Sequence, residues 1–151
     1  MKMVWSFLLM PLLIGLAVAA GNGEEKCEPT EQQAMGPFYK PGAPERTSVG
    51  QGYVLSGQVK STTCRPIPGA QLEFWLAAPD GNYDDAHRAT MFADDSGTYR
   101  FESNFPPQYS SRPPHIHMRI SAPGYQALVT QHYPKEGQTQ GAYDLVLEPA
   151  E

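Results

Sequence analysis

Short apolar segments broken by glycine and proline constrain this chain more than any other feature of its sequence. The 14 glycines and 15 prolines account for 29 of the 151 residues, and no segment shows the sustained 3.6-residue periodicity of an amphipathic helix. Residues 70–76, in contrast, alternate with a period of two, as a strand with one buried face does. The pattern predicts an all-β domain with many turns and excludes a helical bundle.

The number and spacing of the apolar segments indicate how the strands assemble. Six segments have the pattern and the flanking turns of strands: 53–59, 70–76, 98–102, 115–120, 127–132 and 142–147. Strands about 10–20 residues apart favour a β-sandwich of mostly antiparallel strands with Greek-key character. We therefore predict a β-sandwich domain over residues 51–151 with little helix. Residues 21–50 are polar and proline-rich, which predicts an extended N-terminal arm that packs only locally.

The first twenty residues have the composition of an export signal. Lys2 precedes an apolar run whose last small residues, Ala17, Ala19 and Ala20, resemble a cleavage site. The alternative is a retained membrane anchor, but the run is shorter than the roughly 20 residues that a membrane span needs. We predict that residues 1–20 are a signal peptide and that the mature chain is periplasmic or extracellular, without stable insertion in a membrane.

Two cysteines, Cys27 and Cys64, lie in the predicted mature chain. An even number of cysteines in an oxidising compartment predicts one disulfide. The alternative is a pair of unrelated buried thiols. The cysteines therefore add a predicted covalent link between the arm and the sandwich.

The charge balance argues against one class of partner. The chain carries 11 lysines and arginines against 16 aspartates and glutamates, a formal net charge of -5. Proteins that bind the phosphate backbone of nucleic acids usually present a basic face. We expect no nucleic-acid partner.

The segment 115–120 places ionisable groups on one face of a strand. Period two puts His115, His117 and Arg119 on one face and three apolar side chains on the other. Two imidazoles about 7 Å apart along a strand suit one shared metal ion. Two solvated surface histidines are the alternative, and the H-x-H pattern alone does not decide between them. Cysteine ligands are better explained as partners of each other, which leaves tyrosine as the anionic ligand type.

Two tyrosines stand where loops would bring them to the histidines. Tyr83 follows an Asp-Gly-Asn turn, and Tyr109 lies six residues before His115 in a proline-rich loop. A phenol has a pKa near 10, but direct coordination by a trivalent cation can remove its proton. Two phenolates and two imidazoles would form a hard, twice-negative set that favours Fe(III) over Fe(II). Taken singly, each of the eight tyrosines is explained more simply as a core or rim side chain.

Eight short motifs then follow one another in a recognisable order. They are Gly36–Tyr39, Leu55–Val59, Pro66–Ala70, Leu72–Trp75, Gly81–Tyr83, Asp95–Phe101, Arg112–His117 and Thr130–Tyr133. In this order the motifs resemble the intradiol ring-cleavage dioxygenases, non-haem ferric enzymes such as the protocatechuate and catechol dioxygenases. The most specific block is R-P-x-H-I-H at 112–117, preceded by the proline-rich loop with Tyr109. The glycine and proline turns alone would be shared with many sandwich modules.

The resemblance implies a reaction and a set of site residues. The implied ligands of Fe(III) are Tyr83, Tyr109, His115 and His117. Tyr109 would also act as a base for a substrate proton, Arg112 would stabilise negative charge on the substrate, and Gln131 corresponds to a glutamine that supports the family's site. The implied reaction uses O2 to open a catechol-type ring between its two hydroxylated carbons, giving a muconate-type diacid.

Two loops of the chain are shorter than those of larger members of the family. The segments 83–94 and 109–112 leave little chain to wall a pocket. The pocket is therefore expected to be open, which suits a polymer-linked catechol as well as a small one, or to be completed by a partner subunit of a homo-oligomer. Two other functions remain as alternatives: a transthyretin-like binding module, which shares the turn pattern of residues 57–70, and an exported metal-binding protein without turnover.

Overall fold

Eight strands, arranged in two sheets, make up most of the regular structure. The computed structural model describes residues 23–151, and the predicted signal peptide, residues 1–20, lies outside the described residues. The strands are β1 (Tyr53–Ser61), β2 (Gln71–Trp75), β3 (Arg88–Phe92), β4 (Thr98–Ser103), β5 (Ile116–Ser121), β6 (Leu128–His132), β7 (Gln140–Ala142) and β8 (Leu145–Leu147). One 3₁₀ turn, Asp85–His87, is the helical structure in this range, and no helix among the described residues is long and apolar enough to cross a membrane.

The two sheets differ in how their strands pair. In the first sheet, β1 is antiparallel to β4 on one edge and parallel to β7 and β8 in succession on its other edge. In the second sheet, the order β3-β2-β5-β6 is antiparallel throughout. The predicted sandwich of mostly antiparallel strands is therefore confirmed.

The core lies between the inner faces of these sheets. Alternation along β2 turns Leu72 and Phe74 inward, and both are buried. Phe74 stacks on Phe101 of β4 in the opposite sheet, with ring centroids 4.1 Å apart. Complete burial of one such side chain contributes roughly 1.5–3 kcal/mol, so contacts of this kind hold the two sheets face to face.

The strand prediction needs two corrections. Strand β3 was not expected, because its outer face begins with a charged residue, Arg88, and only Ala89 and Met91 mark its inner face. The predicted strand 142–147 is divided into β7 and β8, and the chain bulges between them over Gly57. A Cβ at Gly57 would lie 2.0 Å from the carbonyl oxygen of Tyr143, so this close crossing requires glycine.

The N-terminal arm does not pack only locally, as the sequence suggested. It crosses the outer face of the second sheet from β6 to β3: the amide of Gln33 donates to the carbonyl of Val129 (2.8 Å), and Thr90 donates its amide to the carbonyl of Pro44 (2.9 Å). The prediction was wrong because a polar, proline-rich segment can satisfy its backbone groups on a sheet without any periodic pattern of its own. The arm therefore forms a cover over one face of the sandwich.

The predicted disulfide is confirmed. Cys27 is bonded to Cys64, which lies in the turn after β1, and the two residues are 37 positions apart. The amide of Cys27 also donates to the carbonyl of Thr62 at 2.9 Å. These bonds fix the start of the arm to the sandwich.

Candidate metal centre

Three of the four predicted metal ligands converge at the end of the second sheet where β5 begins. His117 is the second residue of β5, and His115 directly precedes that strand on the same face. Their Nε2 atoms lie 3.1 Å apart, and the Tyr83 hydroxyl lies 3.1 Å from Nε2 of His115. Tyr83 lies in the turn after β2. In this turn the side chain of Asp80 accepts a hydrogen bond from the amide of Asn82 at 2.9 Å. The strand and the turn thus aim three donor atoms at one another.

The fourth predicted ligand, Tyr109, comes from the proline-rich loop before β5. Its ring meets the ring of Tyr83 edge to face, with centroids 5.4 Å apart. The loop closes on itself through the amide of Arg112, which donates to the carbonyl of Tyr109 at 3.0 Å. The structure therefore brings the ring of Tyr109 against the ring of Tyr83, while its part in binding a metal stays a prediction.

The surroundings of the histidines leave both Nε2 atoms directed into the site. Nδ1 of His115 lies 2.8 Å from the carbonyl oxygen of Pro113. A carbonyl can only accept, so Nδ1 carries the proton and Nε2 presents its lone pair. Nδ1 of His117 is buried without a hydrogen-bond partner, and the indole of Trp75 covers that ring. The two Nε2 atoms therefore face each other, and at most one hydrogen bond can form between them.

The electrostatics of the site disfavour a proton on either imidazole. Burial lowers the pKa of His117 to about 3, helped by the nearby His115 and the positive charge of Arg112. Burial also lowers the pKa of His115. Without a metal, burial raises the pKa of Tyr83 to about 12, although the positive charges of Arg112 and Arg88 act in the opposite direction. Free lone pairs beside a buried phenol suit a cation better than they suit a proton.

The donor set fits a trivalent iron ion. Within residues 23–151, no group of three or more histidine, cysteine, aspartate or glutamate side chains could hold a metal ion, so a metal at this point would need tyrosine oxygens. The facing Nε2 atoms of His115 and His117 can share one hydrogen bond at most, so protein groups alone leave lone-pair capacity unused at this point. Phenolate oxygens are hard anionic ligands, which Fe(III) prefers to softer donors.

Arg112 and Gln131 form a hydrogen-bonded pair close enough to the site for the Arg112 charge to help lower the pKa of both histidines. Nη2 of Arg112 donates to Oε1 of Gln131 at 2.6 Å, and Nε2 of Gln131 donates to the carbonyl of Ala34 at 2.8 Å. The Tyr133 hydroxyl lies 3.3 Å from the same Arg112 nitrogen and donates to Gln33 at 2.9 Å. The guanidinium is therefore held beside the donors by a chain of bonds that ends in the arm.

Two arm residues belong to the site although the sequence analysis gave them no role. The ring of Phe38 stacks on Tyr83 with centroids 4.3 Å apart and planes 11° from parallel. Gly36 lies against His117, and a Cβ there would be 3.4 Å from Cε1 of the imidazole. The signal was present in the G-P-F-Y motif at 36–39, which matched the family but was read only as local packing.

Comparison with known proteins identifies the family. Residues 42–146 match the family profile Dioxygenase_C, described as Dioxygenase, over more than half of the chain. The chain is 31% identical over 164 residues to a catechol 1,2-dioxygenase of Candida albicans, covering 82% of this chain and 54% of that protein. It is 35% identical over 138 residues to a catechol 1,2-dioxygenase of a Pseudomonas species, covering 68% of this chain and 46% of that protein. The chain belongs to the intradiol dioxygenase family.

The chain spans about half the length of these two dioxygenases. A solved structure of matching size is the dioxygenase domain of a dioxygenase and carbohydrate-binding protein fusion from the cellulolytic bacterium Streptomyces sp. SirexAA-E. That domain is 31% identical, superposes with a TM-score of 0.74, and is covered over its full length by 82% of this chain. A dioxygenase domain that this chain covers over its full length therefore has a solved structure.

Proposed function

We propose that this protein is a ferric intradiol dioxygenase that opens a catechol-type ring between its two hydroxylated carbons with O2. The observation that carries the proposal is the position of Nε2 of His115, which lies 3.1 Å from the Tyr83 hydroxyl and 3.1 Å from Nε2 of His117. Membership of the intradiol dioxygenase family supports the same reaction. Both oxygen atoms of O2 would end in the two carboxyl groups of a muconate-type diacid.

Four side chains would hold the iron: Tyr83, Tyr109, His115 and His117. When bound there, Fe(III) would draw electron density from a catecholate, so that a ring carbon becomes able to react with O2. The hydrogen bond from His115 to Pro113 holds that imidazole in the tautomer whose Nε2 is free to ligate. The stack of Trp75 on His117 fixes the plane of the second imidazole.

The remaining groups have roles in proton transfer and charge stabilisation. Tyr109 would act as the base that takes a hydroxyl proton from the arriving catechol. The Arg112 guanidinium is a planar donor group suited to negative charge on the bound substrate. Its bond to Gln131 aims it without neutralising it, because an amide oxygen carries no full charge.

The surroundings of the Tyr109 loop suit a substrate larger than catechol itself. A cavity of about 380 Å³ adjoins this loop and the residue before His115. It is lined by Phe105, Pro106, Pro107, Gln108, Pro114, Pro134, Glu136 and Gly137. The lining combines proline and phenylalanine ring faces, which suit an aryl substituent, with the polar side chains of Gln108 and Glu136, which suit its hydroxyl groups. We therefore extend the proposed substrate class to catechols that are attached to a larger phenolic molecule.

The disulfide between Cys27 and Cys64 supports a mature chain that works outside the cytoplasm.

The test is purification of the protein followed by metal analysis, a visible spectrum and oxygen uptake with a panel of catechols. We expect one iron per chain, a red-brown colour from phenolate-to-Fe(III) charge transfer, and oxygen uptake with at least one catechol. A colourless protein that binds zinc and consumes no oxygen would contradict the proposal in favour of metal binding without turnover. A protein that binds no metal would favour a binding module.

A further inference from the structure

Arg88 is a buried cation that the proposed reaction does not use. It is the first residue of β3, is only 4% exposed, and lies opposite Trp75 on the neighbouring strand. Trp75 in turn pairs with His117 on β5. A charge at such a depth costs free energy unless its donors are paired, so the partners of Arg88 indicate what it does.

Those partners connect β3 to the arm. Nη1 of Arg88 donates to the carbonyl oxygen of Phe38. Nε lies 3.3 Å from the carboxylate of Asp85, which also pairs with Lys40 at 3.0 Å. Residues 37–40 of the arm form no strand or helix, so their backbone has no ladder of its own. The bond from Arg88 therefore holds the backbone of this part of the arm on the sheet, beside the side-chain bond from Tyr39 to Glu73 at 2.9 Å.

The ring of Phe38 is the group that this bond places. It stacks on Tyr83 at 4.3 Å and meets Tyr109 edge to face at 5.5 Å. One phenylalanine thus contacts both tyrosines that would bind the iron. Aromatic contacts of this kind contribute about 0.5–1.5 kcal/mol each beyond the area they bury.

We propose that Arg88 is a positioning residue, which sets the two tyrosines for metal binding through the backbone and ring of Phe38. The inference rests on the proposed function, since it assigns Arg88 a part in assembling that metal site. It also has a consequence that needs no metal: loss of the Arg88 side chain moves the ring of Phe38 away from the ring of Tyr83.

The experiment compares Arg88→Met with a matched control, Arg119→Met. Arg119 is also a partly buried arginine of the second sheet and pairs with Glu73 at 2.8 Å. Glu73 accepts the hydroxyl of Tyr39 at 2.9 Å, so this control disturbs the same part of the arm without removing the bond between Arg88 and Phe38. Both variants lose an ion pair, so both should lower the melting temperature. Where Arg88→Met does not fold, Arg88→Lys takes its place, because lysine keeps the charge and loses the planar fork.

The first measurement uses metal-free protein and the ring proton resonances of Tyr83, which the stacked ring of Phe38 shifts. We expect Arg88→Met to move these resonances toward their positions in Phe38→Leu, and Arg119→Met to leave them in place. Unchanged Tyr83 resonances in Arg88→Met would overturn the inference, whether or not the protein binds iron.

The second measurement is the rate at which a chelator removes Fe(III). We expect Arg88→Met to lose Fe(III) about tenfold faster than wild type, in the range found for residues that support metal ligands. In the Phe38→Leu background, adding Arg88→Met should change the rate of Fe(III) loss by less than about twofold. Equal effects in both backgrounds would overturn the route through Phe38. A wild-type protein that takes up no iron would instead defeat the proposed function, and the resonances alone would then decide the placement of the ring.

Discussion

The indole of Trp75 lies flat against the imidazole of His117, with ring centroids 5.0 Å apart and planes 3° from parallel. The two residues are paired in register on β2 and β5, and each is only 2% exposed. The indole N–H is buried without a hydrogen-bond partner. Trp75 therefore contributes through the packing of its ring face on His117 and not through a hydrogen bond from its indole N–H.

We predict that Trp75→Phe lowers the free energy of unfolding by less than about 2 kcal/mol, whereas Trp75→Ala lowers it by about 3–5 kcal/mol. Phenylalanine keeps an aromatic face on His117 and removes the unpaired donor, while alanine leaves a cavity. Urea denaturation of the metal-free variants measures both values. Equal losses would show that the indole nitrogen, and not the ring face, matters.

We predict that Tyr83→Phe weakens the retention of Fe(III) more than about 100-fold, beyond the range for residues that only support ligands. The change removes one oxygen donor and leaves the stack on Phe38 in place. Dialysis against a chelator, followed at the visible band, measures the effect. Tyr125→Phe is the control, because Tyr125 packs against the core and away from the site. A normal band in Tyr83→Phe would remove this tyrosine from the ligand set.

Arg112→Ala is expected to keep the iron and the colour but to slow turnover of a catechol about 10²–10³-fold, as loss of one charge-stabilising donor does. Arg112 contacts Gln131 and Tyr133 but none of the histidines. Steady-state oxygen uptake and the visible spectrum separate the two effects. Arg100→Ala, which changes an exposed arginine on β4, should alter neither. Loss of iron from Arg112→Ala would contradict the role in charge stabilisation.

We predict that the metal-free protein loses stability in acid partly through His132. Burial lowers the pKa of His132 to about 4, and its Nε2 lies 2.7 Å from the Tyr53 hydroxyl across the two sheets. The unfolded chain binds a proton near pH 6.5 that the folded ring binds only near pH 4. The stabilisation that the neutral His132 ring contributes is thus complete above pH 6.5. It decreases by about 1 kcal/mol for each unit that the pH is lowered from 6.5 to 4, allowing for partial exposure.

The measurement is urea denaturation from pH 7 to pH 4 of wild type and His132→Gln. Glutamine keeps a polar partner for Tyr53 but does not titrate. His115 and His117 also titrate in this direction, so the difference between the two proteins reports His132 alone. Parallel stability curves for the two proteins would contradict the prediction.

Replacing Cys27 and Cys64 by serine should lower the free energy of unfolding by about 4 kcal/mol, the chain-entropy value for a 37-residue separation. We further expect faster hydrogen exchange at the amide of Gln33, whose bond to Val129 attaches the same arm to β6. Thermal unfolding and exchange measured by NMR report the two effects. An unchanged rate at Gln33 would mean that the arm stays docked without the disulfide.

Sequence patterns predicted the parts of the molecule that depend on local alternation. Period two along 115–120 predicted that His115 and His117 share a face, and the structure places both there at 3.1 Å. The same alternation predicted Leu72 and Phe74 as core residues. These predictions succeeded because the two faces of a strand are fixed by backbone geometry before any tertiary contact forms.

Long-range contacts of non-periodic chain could not be predicted in this way. The carbonyl of Ala34 accepts from Gln131, 97 residues away, and a backbone carbonyl has no residue-specific signal in a sequence. The sequence analysis gave Arg88 no role, because nothing near it in sequence showed that its guanidinium would bond the backbone of Phe38. Both failures concern the arm, where the partners of each group lie on strands that come later in the chain.

The path of the arm across the second sheet changes what counts as the working unit of this molecule. A fragment beginning at residue 51 would retain all four tyrosine and histidine donors proposed for the iron. It would nevertheless lose the cover over Trp75 and the acceptor for Arg88. Residues 23–50 and the sandwich should therefore be produced together and should unfold as one cooperative unit.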